Sequence, residues 1–178
     1  MPLTFLLGGA RSGKSTLAVR LASAAGAPVT LIATGEARDE EMAERIRTHR
    51  GARPTSWRTI EEPLELGRAV EAAGSDVVVV DCLSLWVSNT MEARTSTAAI
   101  VRDARDVAEA LARRPEQAFG VSNEVGLGVV PMHPLGRAYR DVLGAVNAAW
   151  AATAERSVLV VAGRALALRD ANEVLSIP

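Results

Sequence analysis

The sequence feature that most constrains the fold is a glycine-rich segment directly after the first apolar run. The apolar run covers residues 3–7, and the segment after it reads Gly8-Gly9-Ala10-Arg11-Ser12-Gly13-Lys14-Ser15. It fits the pattern G-x-x-x-x-G-K-[ST], which is found between a strand and a helix. Glycines in this pattern let backbone N–H groups turn inward around phosphate oxygens. We therefore expect an α/β fold that binds a nucleotide at this loop.

The residues of this P-loop have distinct expected roles. Lys14 is the only lysine among the 20 basic residues, and its compact charge suits contact with the β and γ phosphates. The hydroxyl of Ser15 is expected to bind Mg²⁺. The helix that starts near Gly13 adds the positive end of its dipole. We predict nucleotide contacts along the whole segment from Gly8 to Ser15, a catalytic role for Lys14 and a metal ligand at Ser15.

Apolar runs alternate with helical patterns along the rest of the chain. The runs cover residues 3–7, 29–33, 77–80, 118–121 and 157–162, and the candidate helices cover 14–25, 39–50, 62–73, 97–114 and 135–154. Runs without polar alternation indicate strands that are buried on both faces. We predict one P-loop NTPase-like α/β domain over residues 1–178, with a mostly parallel sheet and helices on both faces.

Polar residues follow several of the predicted strands. Asp81 ends the run at 77–80, which is typical of the carboxylate that orients a Mg²⁺ shell, although a strand also ends in Asp as a helix cap. Thr34 and Asn123 follow two other runs. Ligands bind at the carboxyl ends of parallel strands, so both residues are candidates for binding, and ordinary turns are an equal alternative.

Composition excludes several classes of protein. The net charge of −1 offers no long-range field for nucleic acid or anionic lipid. The single cysteine, Cys82, permits no internal disulfide and indicates a reducing cytoplasm. No apolar stretch approaches the roughly 20 residues of a membrane helix, and we expect no signal peptide. We expect Cys82 to be a small buried hydrophobe and His133 to be an exposed loop residue.

Motifs along nearly the whole chain carry a resemblance to a known family. They are Gly8 through Ser15, Asp39-Glu40-Glu41-Met42, Arg45-Ile46-Arg47-Thr48-His49-Arg50, Arg53-Pro54, Trp57-Arg58-Thr59, Glu61-Glu62-Pro63, residues 81–89, residues 122–131, Leu135-Gly136-Arg137, Arg140-Asp141 and Asn147. With them the chain resembles the bifunctional adenosylcobinamide kinase/adenosylcobinamide-phosphate guanylyltransferases of cobalamin synthesis. The combination is far more specific than the P-loop alone.

The resemblance implies two reactions. The first phosphorylates the hydroxyl of the aminopropanol arm of adenosylcobinamide with ATP or GTP. The second moves GMP from GTP onto that phosphate through a guanylylated histidine, which falls on His49. The resemblance carries nucleotide contacts to Gly8 through Ser15, Ala33, Thr34, Gly35, Arg50, Gly51, Ala52, Arg53, Glu61 and Asp81. A catalytic role for Asp81 and metal ligation by Ser15 and Asp81 complete the expected site.

The helical spacing supports the assignment of His49. Met42, Ile46 and His49 lie at i, i+4 and i+7, so the imidazole shares the apolar face of the predicted helix. A neutral imidazole is a competent nucleophile near pH 7. Without the resemblance, the same histidine reads as a cap of the last helical carbonyls.

Two other functions remain as alternatives. One is a P-loop kinase of another small alcohol or nucleoside, which would form no covalent enzyme. The other is a nucleotide-dependent switch or assembly ATPase. Because Lys14 is the only lysine, a guanine-binding Asn-Lys-x-Asp motif is impossible. We expect substrates and nucleotides as partners, and a homo-oligomer with a trimer as one candidate, since a large corrinoid suits a cleft shared between subunits.

Overall fold

The computed structural model describes residues 3–51, 53–93 and 96–175, with Arg45 described by its backbone alone. The strands are β1 (Leu3–Gly8), β2 (Val29–Ala33), β3 (Arg58–Glu61), β4 (Val77–Asp81), β5 (Ala118–Asn123), β6 (Arg156–Val161) and β7 (Arg164–Leu168). The helices are α1 (Lys14–Ala24), α2 (Glu40–Gly51), α3 (Leu66–Ala72), α4 (Leu83–Ala93), α5 (Thr97–Ala112), α6 (Pro134–Thr153) and α7 (Ala171–Leu175). Across these ranges, none of the helices has the length and apolar character that would let it cross a membrane.

All seven strands form one sheet in the order β3-β2-β4-β5-β1-β6-β7. Every neighbouring pair is parallel except β6 and β7, which form an antiparallel hairpin. The predicted mostly parallel sheet is therefore confirmed. This order brings the carboxyl ends of β1, β4 and β5 side by side, so the P-loop and Asp81 lie at the same edge of the sheet.

Alternate residues of the strands pack into two cores, one on each face. Leu6, Leu31 and Val79 pack with Ala18 and Ala22 of α1 on one face. The opposite face is covered by α3, α4, α5 and α6, and its core includes Leu3, Phe5, Val78, Val80, Leu66, Leu83, Ile100 and Leu143. Helices on both faces are therefore confirmed.

The structure adds four elements that the apolar runs did not predict: β3, α4, β7 and α7. The first is a short edge strand with exposed polar residues, and α4 begins only two residues after β4, so its apolar residues extend the preceding run. The expectation that the run at 157–162 is buried on both faces is wrong. Val158 and Leu159 are only half-buried, and Val161 is exposed, because β6 lies near the open edge of the sheet beside the fully exposed β7.

The packing of Gly120 against Trp150 predicts a matched pair of stability changes. A Cβ at Gly120 would lie 2.3 Å from Cζ3 of the buried Trp150 ring. We expect Gly120→Ala to lower the free energy of unfolding by about 1–3 kcal/mol through overpacking. Gly144 lies in α6 with open space around it, so Gly144→Ala should raise it by about 0.5–1 kcal/mol. Urea unfolding of both variants measures the difference, and equal effects would contradict this packing.

Candidate active site

The P-loop turns tightly between β1 and α1, and two of its glycines are sterically required. A Cβ at Gly8 would lie 2.4 Å from the carbonyl oxygen of Val160 and 2.6 Å from Oγ of Ser12. Gly13 has a φ of 97°, which L side chains rarely adopt. Gly8 therefore stands where a side chain would clash with its neighbours, and Gly13 stands where the backbone adopts a positive φ.

Hydrogen bonds hold the P-loop in shape. The backbone N–H of Ser12 donates to Gly9 O at 3.3 Å, and the N–H of Gly163 donates to Ser12 O at 2.8 Å. The loop is therefore anchored to the turn of the β6–β7 hairpin. Lys14 is only 8% exposed, and its Nζ donates to Gly9 O at 3.0 Å. This bond holds the ammonium group within the P-loop, beside the space that bound phosphates are expected to fill.

Asp81 lies at the end of β4 and faces the start of α1. Oγ of Ser15 donates to Oδ1 of Asp81 at 3.3 Å. Oδ2 of Asp81 lies 3.8 Å from Nδ1 of His49 and 3.8 Å from a terminal nitrogen of Arg53. Burial lowers the pKa of the Arg53 guanidinium from its ordinary value, and the Asp81 carboxylate partly opposes that shift. One carboxylate thus faces the P-loop, the histidine and a buried arginine.

The donor groups around Asp81 fit a nucleotide-bound Mg²⁺. Mg²⁺ in such sites is held by one or two protein oxygens together with phosphates and water. The hydroxyl of Ser15 and the carboxylate of Asp81 supply those oxygens beside the P-loop. Across residues 3–51, 53–93 and 96–175, no three His, Cys, Asp or Glu side chains gather as a protein-only metal centre.

Two cavities adjoin at this edge of the sheet. The main cavity has a volume of about 650 Å³, and the second, which we call the loop cavity, has about 550 Å³ and lies over the P-loop. Four residues line both: Lys14, Ser15, His49 and Asn123. The main cavity also has an apolar wall that includes Met42, Ile46 and Leu85. The volumes are in the range of sites that bind small molecules and cofactors.

His49 is carried into the site by α2. The helix begins after Asp39, whose Oδ1 accepts the backbone N–H of Met42 at 2.7 Å and so caps the first turn. Met42, Ile46 and His49 all line the main cavity, as their helical spacing predicts. The His49 side chain is 45% exposed, so it is accessible from the cavity and from solvent.

The segment before α2 is tied to α4. Arg38 donates to Glu36, to Glu92 and to Oδ1 of Asn89, the last at 3.1 Å. The side-chain amide of Asn89 in turn donates to Thr34 O at 2.8 Å. These contacts fix the loop from which α2 starts, and therefore the place of His49 above the sheet.

The predicted site residues divide into those that line a cavity and those that support it. Lys14, Ser15, Ala33, Gly35, His49, Arg50, Arg53, Glu61 and Asp81 line the main cavity, and Ala10, Arg11, Ser12 and Gly13 line the loop cavity. Of the other predicted residues, Gly8, Gly9, Thr34 and Gly51 line neither cavity, and Ala52 lies outside the described residues. Arg50 and Glu61 form an exposed ion pair at the rim.

Thr34 lies beneath the main cavity. Its side chain is fully buried, and its Oγ1 donates to Cys82 O at 2.6 Å and accepts the Cys82 N–H at 3.0 Å. The hydroxyl thereby joins the end of β2 to the end of β4. In this structure Thr34 holds Asp81 in place and does not face the cavities.

Two residues outside the expected set of catalytic, nucleotide and metal contacts also reach the cavities. Asn123 lines both cavities, and two signals pointed to it: its position at a strand end and its place in the motif at 122–131. Cys82 lines the main cavity from a buried position, where burial and the nearby Asp81 carboxylate raise the pKa of its thiol. A neutral thiol is a poor nucleophile, so Cys82 contributes packing.

The fold is that of the P-loop NTPase-like α/β proteins. A glycine loop follows β1, an acid ends β4, and β5 lies between these two strands in a mostly parallel sheet. The RadB recombinase shares this fold, with a TM-score of 0.50 and 17% identity over 89% of this chain and 73% of that one. The chain belongs to the cobinamide kinase / cobinamide phosphate guanyltransferase family, CobU, whose profile matches residues 4–168.

Relatives in bacteria match nearly the full length of the chain. The bifunctional adenosylcobalamin biosynthesis protein CobP of Pseudomonas aeruginosa is 43% identical over 166 residues, covering 92% of this chain and 95% of the relative. The proteins named CobU of Escherichia coli and Salmonella typhimurium are 35% and 37% identical, each covering 90% of this chain and 96% of the relative. The resemblance noted in the motifs is therefore confirmed.

Proposed function

We propose that this chain catalyses two successive transfers in the synthesis of adenosylcobalamin. The first phosphorylates adenosylcobinamide with ATP or GTP, and the second moves GMP from GTP to the new phosphate to give adenosylcobinamide-GDP and pyrophosphate. The observation that carries the proposal is the shared position of His49 and Lys14, which line both cavities of a chain in this family. A histidine beside a phosphate cradle gives one site both a place for phosphoryl transfer and a nucleophile.

The kinase step needs positioning and neutralisation of charge. The hydroxyl oxygen of adenosylcobinamide bonds to the γ-phosphorus, the bond to the β-γ bridging oxygen breaks, and the hydroxyl proton passes to a nearby base. Backbone N–H groups of the P-loop and the ammonium of Lys14 stabilise the charge on the phosphate oxygens. Asp81 and Glu61 both line the main cavity, and either carboxylate can orient the incoming hydroxyl or the metal shell.

The guanylyl transfer uses His49 as a covalent carrier. Nδ1 of His49 lies 3.8 Å from Oδ2 of Asp81. When Nδ1 carries the proton of the neutral imidazole, the lone pair of Nε2 is available for attack. Nε2 bonds to the α-phosphorus of GTP as the bond to pyrophosphate breaks. A phosphate oxygen of adenosylcobinamide phosphate then attacks the same phosphorus, the N–P bond breaks, and the imidazole is regenerated.

Ser15 and Asp81 would hold Mg²⁺ in this proposal. When bound, the ion would supply positive charge that offsets the charge of the phosphates. Arg53 is buried beside Asp81 and offers a planar pair of donors to phosphate or base, and Arg50 offers the same from the rim. The remaining neutralisation comes from Lys14 and the start of α1.

The enzyme is proposed to work as a cytoplasmic homo-oligomer, with a trimer as the candidate form. Apolar side chains are strongly exposed between β5 and α6, among them Leu127 at 84%, Val129 at 95% and Met132 at 93%. Large exposed apolar patches commonly mark interfaces. Sedimentation equilibrium measures the subunit number, and a monomer at micromolar concentration would contradict this part of the proposal.

The two transfers are tested by following products separately. Adenosylcobinamide with ATP and Mg²⁺ should give adenosylcobinamide phosphate and ADP. Addition of GTP should then give adenosylcobinamide-GDP and pyrophosphate. A kinase of another small alcohol would leave adenosylcobinamide unchanged, and a nucleotide-dependent switch would hydrolyse nucleotide without modifying either corrinoid.

The Asp81 carboxylate predicts a change in metal dependence. Asp81→Asn removes one of the charges that hold Mg²⁺ and should raise the Mg²⁺ concentration for half-maximal kinase activity by about tenfold or more. Asp141 lies exposed on α6 and pairs with Arg140, so Asp141→Asn is the matched control and should change nothing. Mg²⁺ titration of initial rates measures both variants. An unchanged requirement in Asp81→Asn would contradict its role as a ligand.

A further inference from the structure

Asn123 ends β5 at the centre of the candidate site. β5 lies between β4, which carries Asp81, and β1, which carries the P-loop. In the β1–β5 pair Asn123 is opposite Gly8, the first residue of the P-loop, and the next N–H along the chain, that of Glu124, donates to Gly8 O at 3.2 Å. The side chain at this position therefore stands beside the phosphate cradle.

Asn123 is one of the four residues that line both the main cavity and the loop cavity. The other three have roles in the proposed function: Lys14 binds phosphate, Ser15 holds the metal, and His49 carries GMP. Asn123 has no assigned role, although a group at the junction of the two cavities is in reach of a phosphate that lies in either of them. Asn123 therefore lies at the junction of the two cavities, as the other three residues do.

Asn123 forms hydrogen bonds with buried polar residues that do not line the cavities. Its Nδ2 donates to Oγ of Ser84 at 2.9 Å, and its backbone carbonyl accepts from Nδ2 of Asn147 at 3.0 Å. Asn147 in turn accepts from Oγ of Ser122 at 2.6 Å, and the hydroxyl of Tyr139 donates to Ser84 O at 3.0 Å. Ser84, Ser122 and Asn147 are each at most 5% exposed and line neither cavity.

Burying these polar side chains costs free energy that an apolar core would not cost. Polar side chains in a core lose hydration and must be satisfied by partners, whereas apolar residues would fill the same space without that demand. A satisfied network restricts its members to one arrangement. Three buried polar side chains, from α4, β5 and α6, therefore fix the orientation of one residue at the cavity.

The carboxamide has hydrogen-bonding capacity left for a ligand. It carries two N–H donors and one carbonyl oxygen. Among the described residues, the bond to Ser84 is the only one that its side chain makes. One N–H and the oxygen are thus available at the cavities. Beside Lys14 and a phosphate cradle, a phosphate oxygen is the acceptor that suits the N–H.

We propose that Asn123 is a substrate-binding residue that donates its second Nδ2–H to the phosphoryl group being transferred in both reactions. The inference rests on the proposed function and adds a residue to it. In the kinase step the acceptor is an oxygen of the γ-phosphate. In the guanylyl transfer it is an oxygen of the α-phosphate, as that group passes between pyrophosphate, His49 and the second substrate. A neutral donor held rigidly in this way stabilises developing negative charge without being repelled by the neighbouring cations.

The test compares Asn123→Ala with Asn123→Asp. Asparagine and aspartate have the same shape. In the wild type the Asn123 amide donates to Ser84 Oγ, whereas in Asn123→Asp the Ser84 hydroxyl can turn and donate to the carboxylate, so the aspartate keeps a bond to Ser84 and loses the donor. We expect Asn123→Ala to lower kcat of both transfers by about 10²–10³-fold, as removal of one transition-state donor does. Asn123→Asp should be slower still, because it adds a negative charge beside the phosphates. Asn172→Asp, which adds the same charge at an exposed position of α7, should match the wild type.

A second measurement separates contact with phosphate from support of the fold and needs no turnover. Direct titration with Mg²⁺ and GTP should give a Kd that rises by about tenfold in Asn123→Asp, through repulsion between like charges, and by less than about threefold in Asn123→Ala. Thermal unfolding of both variants checks the fold. If Asn123 only supports the sheet edge, Asn123→Asp will be closer to the wild type than Asn123→Ala in rates and in Kd, and this order overturns the proposal.

The wild-type enzyme keeps the two claims apart. If the wild type modifies no corrinoid, the proposed function fails, while the GTP titration still decides whether Asn123 faces phosphate. If the wild type carries out both transfers and Asn123→Asp retains rates within about threefold with an unchanged Kd, the proposed function stands and the role of Asn123 is wrong.

Discussion

Lys14→Ala is expected to abolish both transfers, with kcat/KM of each lowered by about 10³-fold or more. Lys14 is almost fully buried, and its ammonium group is held by Gly9 O inside the P-loop. In the proposed function both reactions use nucleotides bound at this loop, so both are expected to lose the same stabilisation. Initial rates of the two transfers, measured separately, give the result.

Two further variants sharpen the test of Lys14. Arg20→Ala removes one positive charge from an exposed position of the same helix and should leave both rates unchanged. Lys14→Arg keeps the charge but replaces a compact group by a planar fork, which does not fit within the tight loop, and it should restore little activity. Full kinase activity in Lys14→Ala would show that the phosphate site has been placed wrongly.

His49→Ala is expected to separate the two activities. Guanylyl transfer should fall by about 10⁴-fold or more, because a covalent nucleophile has been removed. The kinase step needs no covalent group, so its kcat should remain within about tenfold of the wild type. The measurement is the rate of adenosylcobinamide phosphate formation from ATP, set against the rate of adenosylcobinamide-GDP formation from GTP.

The second histidine provides the control. His133 is exposed in the connection before α6, and its side chain does not cap the helix. His133→Ala should leave both rates at the wild-type level. Equal loss of both activities in His49→Ala would mean that His49 supports the kinase site as a whole, and it would contradict the assignment of a separate nucleophile.

Local sequence predicted the strands and loops around the P-loop because their causes are local. Apolar runs without alternation identified β1, β2, β4 and β5, and the G-x-x-x-x-G-K-[ST] pattern identified the turn between β1 and α1. β3 escaped prediction because three of its four residues are polar, and it is a strand only through pairing with β2 at the edge of the sheet. Its place in the fold is decided by tertiary contacts.

The candidate site depends on contacts between segments far apart in the chain, which spacing alone does not predict. The meeting of His49 with Asp81 requires α2 to lie across the sheet edge, and the loop that sets α2 is tied through Arg38 and Asn89 to α4, a helix that was not predicted. Family resemblance supplied His49, and helical spacing supported it. The position of Thr34 at a strand end made it a candidate for binding. In the structure its hydroxyl is buried and forms hydrogen bonds that join the ends of β2 and β4.

The most direct test of the account is whether His49 takes up GMP. Wild-type enzyme is incubated with Mg²⁺ and GTP labelled at the α-phosphate and then denatured, and the bound label is tested for the lability to acid and stability to alkali of a phosphoramidate. The account predicts label on the wild type and on His133→Ala, and none on His49→Ala. An unlabelled wild type, or equal labelling of His49→Ala, would contradict it.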